Sequence, residues 1–288
     1  MPVNVQEKVF DIDGLKVCGR WWRGDARSTD SEPVLAVHGW LDNAASFNAL
    51  GEAGLPLLAL DMPGNAHSDD RPAHATYNIW DDLPVLLAVA DRMGWERFNL
   101  LGHSRGAMMS MLLAASCPER VKRLICLDGL VPMAVSIEQS PKQLGDFLRD
   151  AKALSTKPGK VYPTLDELIA LRQRTTGMSE AATRVLAERG AKAVAGGWLW
   201  RADQRLKGAS AFKLSTAHIE AFLKALVPPV LLIVAEKGYA QFPELNELIS
   251  LIPQCQLESL PGGHHFHMED GAATIAKLIR EFLAQEKS

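Results

Sequence analysis

Five short apolar runs, four of them followed directly by a polar residue or a glycine, constrain this chain more than any other feature. They lie at residues 34–37, 57–60, 98–101, 121–127 and 230–234. Runs of four to seven residues are too short for stable helices, and their lack of polar alternation leaves no face for water. Strands of this kind belong inside a parallel sheet covered on both sides. Before them, residues 5–10 and 15–22 flank Asp11-Ile12-Asp13-Gly14 and read as an antiparallel pair.

The segments between the runs supply the covering helices. Asn78 and Asp81 suggest a capped start for a helix reaching about residue 93, with Pro84 early in it and Gly94 as its stop. Residues 105–116 form a second helical pattern, 244–251 a third after Pro243, and 268–285 a fourth with an apolar stripe. Strand, turn and helix in repetition predict an α/β fold with right-handed crossovers and a mostly parallel sheet. Between about 131 and 226 no run reads as a strand. Thr164 and Ser179 have cap positions before helical patterns, and Ser210 precedes another at 211–226. This predicts residues 1–130 and 228–288 as a core and 131–227 as an inserted helical cap, with Gly196-Gly197 a candidate hinge.

Lys and Arg total 31 against 34 Asp and Glu, with no basic stripe, so a nucleic-acid partner is not expected. Four separated cysteines (18, 117, 126 and 255) form no CxxC or ligand cluster and read as buried thiols in a reducing compartment. The first ten residues lack the pattern of a secretory leader, and no apolar stretch could cross a bilayer. The expectation is a cytoplasmic globular protein without membrane insertion, monomeric or homodimeric, acting on a small molecule.

Gly102-His103-Ser104-Arg105-Gly106 directly follows one apolar run and directly precedes a helical pattern. Small residues two before and two after Ser104 permit a sharp turn that lifts its hydroxyl above the sheet, the G-x-S-x-G elbow in its required strand–turn–helix setting. A serine hydroxyl is a poor nucleophile until a base takes its proton. Eight histidines are available, and His264, His265 and His267 cluster after the last strand pattern.

With His38-Gly39-Trp40 after one run and Asp61-Met62-Pro63-Gly64 after the next, the chain resembles the alpha/beta-hydrolase superfamily. More narrowly, it is similar to that family's serine hydrolase-like proteins with a helical cap. Asn65-Ala66-His67 departs from the usual histidine–glycine centre of its loop. The resemblance implies an eight-stranded sheet, no metal or organic cofactor, Ser104 as nucleophile and His264 as base, with His265 or His267 the alternatives. It implies His38 as a structural hydrogen bonder, His103 turned away at the elbow, and His267 ordering the loop. Backbone N–H groups of Trp40 and Arg105 would hold an oxyanion. The acid is less direct, because Gly238 stands where many relatives carry aspartate. Asp128, at the end of the 121–127 run, matches an alternate position and is the expected acid, with Glu236 the alternative.

Together these predict a serine hydrolase cleaving a small carboxylic ester or lactone through an acyl-enzyme. Ser104 in the nucleophile position argues against haloalkane dehalogenase or epoxide hydrolase chemistry, which needs aspartate there. Carbon–carbon bond hydrolysis, perhydrolysis, acyl transfer to another alcohol and a non-catalytic interaction protein on the same scaffold stay open. Trp40, Trp198, Trp200 and Phe212 are candidates for a substrate pocket, with packing of cap against sheet as the alternative. Arg201-Ala202-Asp203-Gln204-Arg205 reads as an internal ion-pair network, or as a site for a substrate carboxylate.

Overall fold

The computed structural model describes residues 5–23 and 33–285. In chain order the elements begin with β1 (Val5–Ile12), β2 (Leu15–Trp22), β3 (Val34–Val37), α1 (Asn48–Glu52), β4 (Leu57–Leu60) and α2 (Leu83–Arg92). There follow β5 (Phe98–His103), α3 (Arg105–Ser116), β6 (Val121–Leu127), α4 (Ser140–Leu154), α5 (Leu165–Thr176) and α6 (Glu180–Gly190). The chain continues with β7 (Ala191–Val194), β8 (Gly197–Trp200), α7 (Thr216–Lys224), β9 (Val230–Ala235), α8 (Leu245–Ser250), β10 (Cys255–Leu260) and α9 (Ala272–Leu283).

All five apolar runs enter one eight-stranded sheet of order β1-β2-β4-β3-β5-β6-β9-β10. β1 pairs antiparallel with β2, and β2 antiparallel with β4; every later pairing is parallel. Alternation along the strands explains why both faces had to be apolar. Leu35 and Val37 of β3 face the layer that holds α2 and α3, while Val34 and Ala36 face the layer that holds α1 and α9. Each large side chain buried this way stabilises the fold by about 1.5–3 kcal/mol relative to exposure.

The register positions the site. His103 of β5 lies opposite Leu127 of β6, so the residues that follow, Ser104 and Asp128, leave the sheet side by side. Leu127 in turn lies opposite Ile233 of β9, and Leu260 of β10 opposite Ala235, which brings the loop after β10 to the same edge.

Several sequence expectations need correction. α2 begins at Leu83 rather than near Asn78, with Pro84 in its first turn, where a missing N–H costs nothing. The segment 131–227 contains a hairpin, β7–β8, turning at Ala195-Gly196; Gly196 (φ 85°) sits in that turn and Gly197 (φ 141°) opens β8, so the pair belongs to the hairpin rather than to a hinge. Its strands are only four residues each, below the length that pattern reading resolves. α4 has no buried residue and was not read from the sequence, although Leu144, Phe147, Leu148, Ala151 and Leu154 recur at helical spacing, whereas Thr164 and Ser179 cap α5 and α6 through their side chains. The last helix of this segment is shorter than 211–226: Ser215, not Ser210, caps it, in a reciprocal bond with His218. Ile219 and Leu223 of that helix pack into the main core beside α3. All four thiols are free, but only Cys18 and Cys126 are buried; Cys117 and Cys255 are partly exposed. No helix among the described residues is long and apolar enough to cross a membrane.

Candidate active site

The elbow glycines answer to close approach. A Cβ on Gly102 would stand 2.4 Å from the Gly106 carbonyl oxygen, and one on Gly106 would stand 2.0 Å from that of Val37. Only glycine lets β3, β5 and α3 meet this closely. Ser104 itself sits at φ +52°, ψ −118°, off the favoured regions for an L-residue, and its backbone N–H is held by the Leu127 carbonyl at 3.0 Å. The turn aims the side chain out of the sheet at the start of α3, where the first helical N–H groups lack intrahelical partners.

His264 reaches this hydroxyl from the loop after β10. Its Nε2 lies 2.8 Å from Ser104 Oγ, and its Nδ1 lies 2.5 Å from Asp128 Oδ2. The carboxylate only accepts, so the imidazole carries its proton on Nδ1 and offers the Nε2 lone pair to the serine O–H. The His264 side chain is 42% exposed, while that of Asp128 is fully buried. Asp128 is fixed on every side. Its Oδ1 accepts the N–H groups of Ala235 at 2.7 Å and Tyr239 at 2.8 Å, and its own N–H donates to the Ile233 carbonyl at 2.8 Å. A buried carboxylate held by this many donors has its acceptor positions filled and its orientation fixed.

Gly238 explains why the carboxylate stands on β6. A Cβ at residue 238 would lie 2.2 Å from Asp128 Oδ2. The ends of β6 and β9 therefore converge on one point beside His264, with room for a single carboxylate. Glu236 is exposed, with its N–H engaged by the Leu260 carbonyl, and the His264 Nδ1 partner is Asp128.

The other histidines divide by role. The Met62 N–H donates to His38 Nε2 at 3.0 Å, and His38 Nδ1–H donates to the Gly39 carbonyl at 2.7 Å; burial pushes its pKa down. His267 is buried with its Nε2 2.8 Å from Ser46 Oγ, which ties the histidine loop to the turn before α1. Neither is near a position to serve Ser104. His103 does not turn away from the site. Its ring packs 4.8 Å from that of His264, and its Nε2–H donates to the His264 carbonyl at 2.8 Å. Burial pushes its pKa down to about 4. His265 faces Asp42, with Nε2 3.3 Å from Oδ2. The roles of His103 and His265 carried no motif signal, because Asp42 lies far away in sequence.

Ser104 and His264 open into a cavity of about 370 Å3 shared with Gly39, Trp40 and Arg172. Trp40 also borders a neighbouring cavity of about 220 Å3, and its indole N–H donates to the Leu206 carbonyl at 2.9 Å. Trp198 and Trp200 instead pack with Leu168, Ile169 and Ala187, and Phe212 is half exposed. None of these three lines either cavity. The Arg105 side chain borders the smaller cavity and lies 3.7 Å from Asp82. Arg205 pairs with Asp203 at 2.6 Å and donates to the Arg71, Pro72 and Ala75 carbonyls, so the 201–205 segment closes an internal network.

A mostly parallel eight-stranded sheet with a seryl elbow at the end of a central strand defines the alpha/beta hydrolase fold. The chain belongs to that family, whose match spans residues 32–272. Within it, the relatives are serine hydrolase-like proteins. One from Dictyostelium discoideum is 29% identical over 95% of this chain and 80% of its own length. The human serine hydrolase-like protein 2 is 30% identical over 94% of each chain. Among solved structures, a hypothetical protein from Pseudomonas aeruginosa PAO1 is 38% identical, with a TM-score of 0.91 over 97% of this chain and 100% of that one. Family and relatives together make the chain a serine hydrolase-like alpha/beta hydrolase.

Proposed function

We propose that this protein hydrolyses a small carboxylic ester or lactone through an acyl-enzyme on Ser104. The observation that carries the reading is the unbroken hydrogen-bond line from Ser104 Oγ through His264 to the buried Asp128. His264 Nε2 takes the serine proton as Oγ attacks the carbonyl carbon. Asp128 holds the imidazole in the required tautomer and stabilises the imidazolium that forms. The backbone N–H groups of Trp40 and Arg105 receive the negative oxygen, one from the loop after β3 and one from the first turn of α3. His264 then protonates the leaving alcohol, and water attacks the acyl-enzyme with the same groups in reversed order. Residues 131–227 act as the cap that borders the substrate space, through Arg172, Thr175 and Thr176 of α5 and its C-terminal end.

A cavity of about 370 Å3 favours a short acyl group. Nitrophenyl acetate and butyrate are therefore expected to turn over faster than the decanoate. A fluorophosphonate probe is expected to label the wild-type protein at residue 104 and to leave Ser104→Ala unlabelled. Folded wild-type protein that takes no label would overturn the reading.

A further inference from the structure

Beside the Ser104–His264 pair stands a second cluster that the hydrolytic reaction does not use. Asp42, His103 and His265 are all buried, and each directs one ligand-type atom to a common space: Oδ2, Nδ1 and Nε2, all within 4.8 Å of one another. Asp42 Oδ2 is 3.3 Å from His265 Nε2 and 3.6 Å from His103 Nδ1. A tetrahedral ion with bonds of about 2.0–2.2 Å sets its ligand atoms about 3.3–3.6 Å apart. Two edges already have that length, and the third, between His103 Nδ1 and His265 Nε2, is no longer than 4.8 Å.

We infer that Asp42, His103 and His265 form a binding site for a divalent transition-metal ion of the zinc class, and that its occupation inhibits the neighbouring Ser104–His264 pair. The inhibitory half rests on the proposed serine chemistry; the binding half does not.

Four observations support the site. His103 donates its Nε2–H to a carbonyl, which leaves Nδ1 as a bare lone pair. That atom is fully buried, has no hydrogen-bond partner, and faces a carboxylate at 3.6 Å, an unfavourable arrangement that a cation between them would relieve. Outer contacts of the kind that orient metal ligands are in place, since the His264 carbonyl holds His103 and Arg172 holds the other oxygen of Asp42 at 2.5 Å. The space is open because residue 39 is glycine: a Cβ there would lie 2.8 Å from His103 Nδ1 and 2.9 Å from Asp42 Oδ2.

All three residues border the cavity that contains Ser104, so an ion can arrive from solvent and keep a fourth position for water. Its two positive charges would then lie next to the His103 ring, which packs 4.8 Å from that of His264. An ion there, with the water that completes its shell, would stand in the space a substrate carbonyl must enter to reach Ser104.

The test begins with Ser104→Ala titrated with Co2+, whose four-coordinate complexes absorb strongly in the visible. One equivalent is expected to bind with those bands and to be displaced by Zn2+. Asp42→Asn and His265→Gln, checked to retain the parent melting transition, are expected to bind Co2+ at least about tenfold more weakly. Failure of Ser104→Ala to bind one equivalent overturns the site, as does undiminished binding in both substituted proteins. With wild type, Zn2+ is expected to lower kcat at least about tenfold and EDTA to restore it; unchanged turnover with the ion bound overturns the inhibitory half. Should the protein prove inactive on every ester, the Co2+ titration still decides the site, so the two readings fail separately.

Discussion

At the scale of single residues, one carboxylate position is shared by two strands. Asp128 tolerates φ +45° at the end of β6, and Gly238 leaves the space its Oδ2 occupies. Asp128→Gly suits that backbone and removes the carboxylate, with an expected loss in kcat of about 10⁴ if the acid acts as in other serine triads. Adding Gly238→Asp places a carboxylate at the same point from β9, and recovery of about tenfold or more is expected over Asp128→Gly alone. Steady-state kinetics on one short ester decides it: no recovery in a folded double variant would mean that the two strand ends are not interchangeable. Gly238 read alone looks like a missing acid. In three dimensions it leaves the space that the Asp128 carboxylate occupies beside His264.

At the scale of elements, two of the caps read from the sequence, Thr164 and Ser179, are those the helices use. Thr164 accepts from the Glu167 N–H at 3.2 Å, and Ser179 accepts from the Ala182 N–H at 3.2 Å. Thr164→Ala and Ser179→Ala should each destabilise the protein by about 1 kcal/mol, measured by urea unfolding. A cost near zero for both would mean that α5 and α6 are held by packing alone. Elements with buried stripes or side-chain caps were legible: β3 to β6, α3, α5, α6 and α9. What escaped notice lacked both signals. α4 exposes or half-exposes every residue, and the β7–β8 strands draw their support from Tyr162 and Leu168 elsewhere in the chain. The start of α2 escaped because Asn78 and Asp81 bond to each other in a turn before the helix, where Asp81 accepts the Asn78 N–H at 2.7 Å.

At the scale of the whole molecule, charge burial ties the distant parts together and sets the response to pH. Arg189 of α6 donates to Asp61 at 2.8 Å and to Glu7 of β1 at 2.9 Å, and Asp61 is fully buried. Arg189→Ala strands that carboxylate, with an expected cost of about 3–5 kcal/mol in urea unfolding. A loss below 1 kcal/mol, roughly the worth of a surface pair, would contradict the burial. His38, His103 and His267 are all buried with depressed pKa values, for which desolvation is the leading cause. The unfolded chain takes up these protons near pH 6.5, while folded His103 waits until about 4. Between those values the unfolded state binds more protons, so stability falls as the solution is acidified from pH 6.5 towards 4. His103 alone contributes about 3 kcal/mol of that loss. Asp42 adds no slope in this window, because a depressed carboxylate loses its contribution only below its unfolded value of 3.8. Urea midpoints measured from pH 7 to 4 should fall in wild type and fall less in His103→Asn. Equal slopes would remove His103 as a cause.

The sequence by itself determined the sheet, the elbow and the histidine loop, because strand burial, a glycine-flanked serine and helix caps are all imposed by neighbours within a few residues. It favoured Asp128 over Glu236 as the candidate acid. Only the tertiary structure shows that the Asp128 carboxylate meets His264 Nδ1, that Trp198 and Trp200 pack away from the cavity, and that Asp42 meets His103 and His265. These depend on which strand ends and loops converge at one sheet edge, and that convergence is set by register and by the space each side chain leaves, which no local pattern encodes.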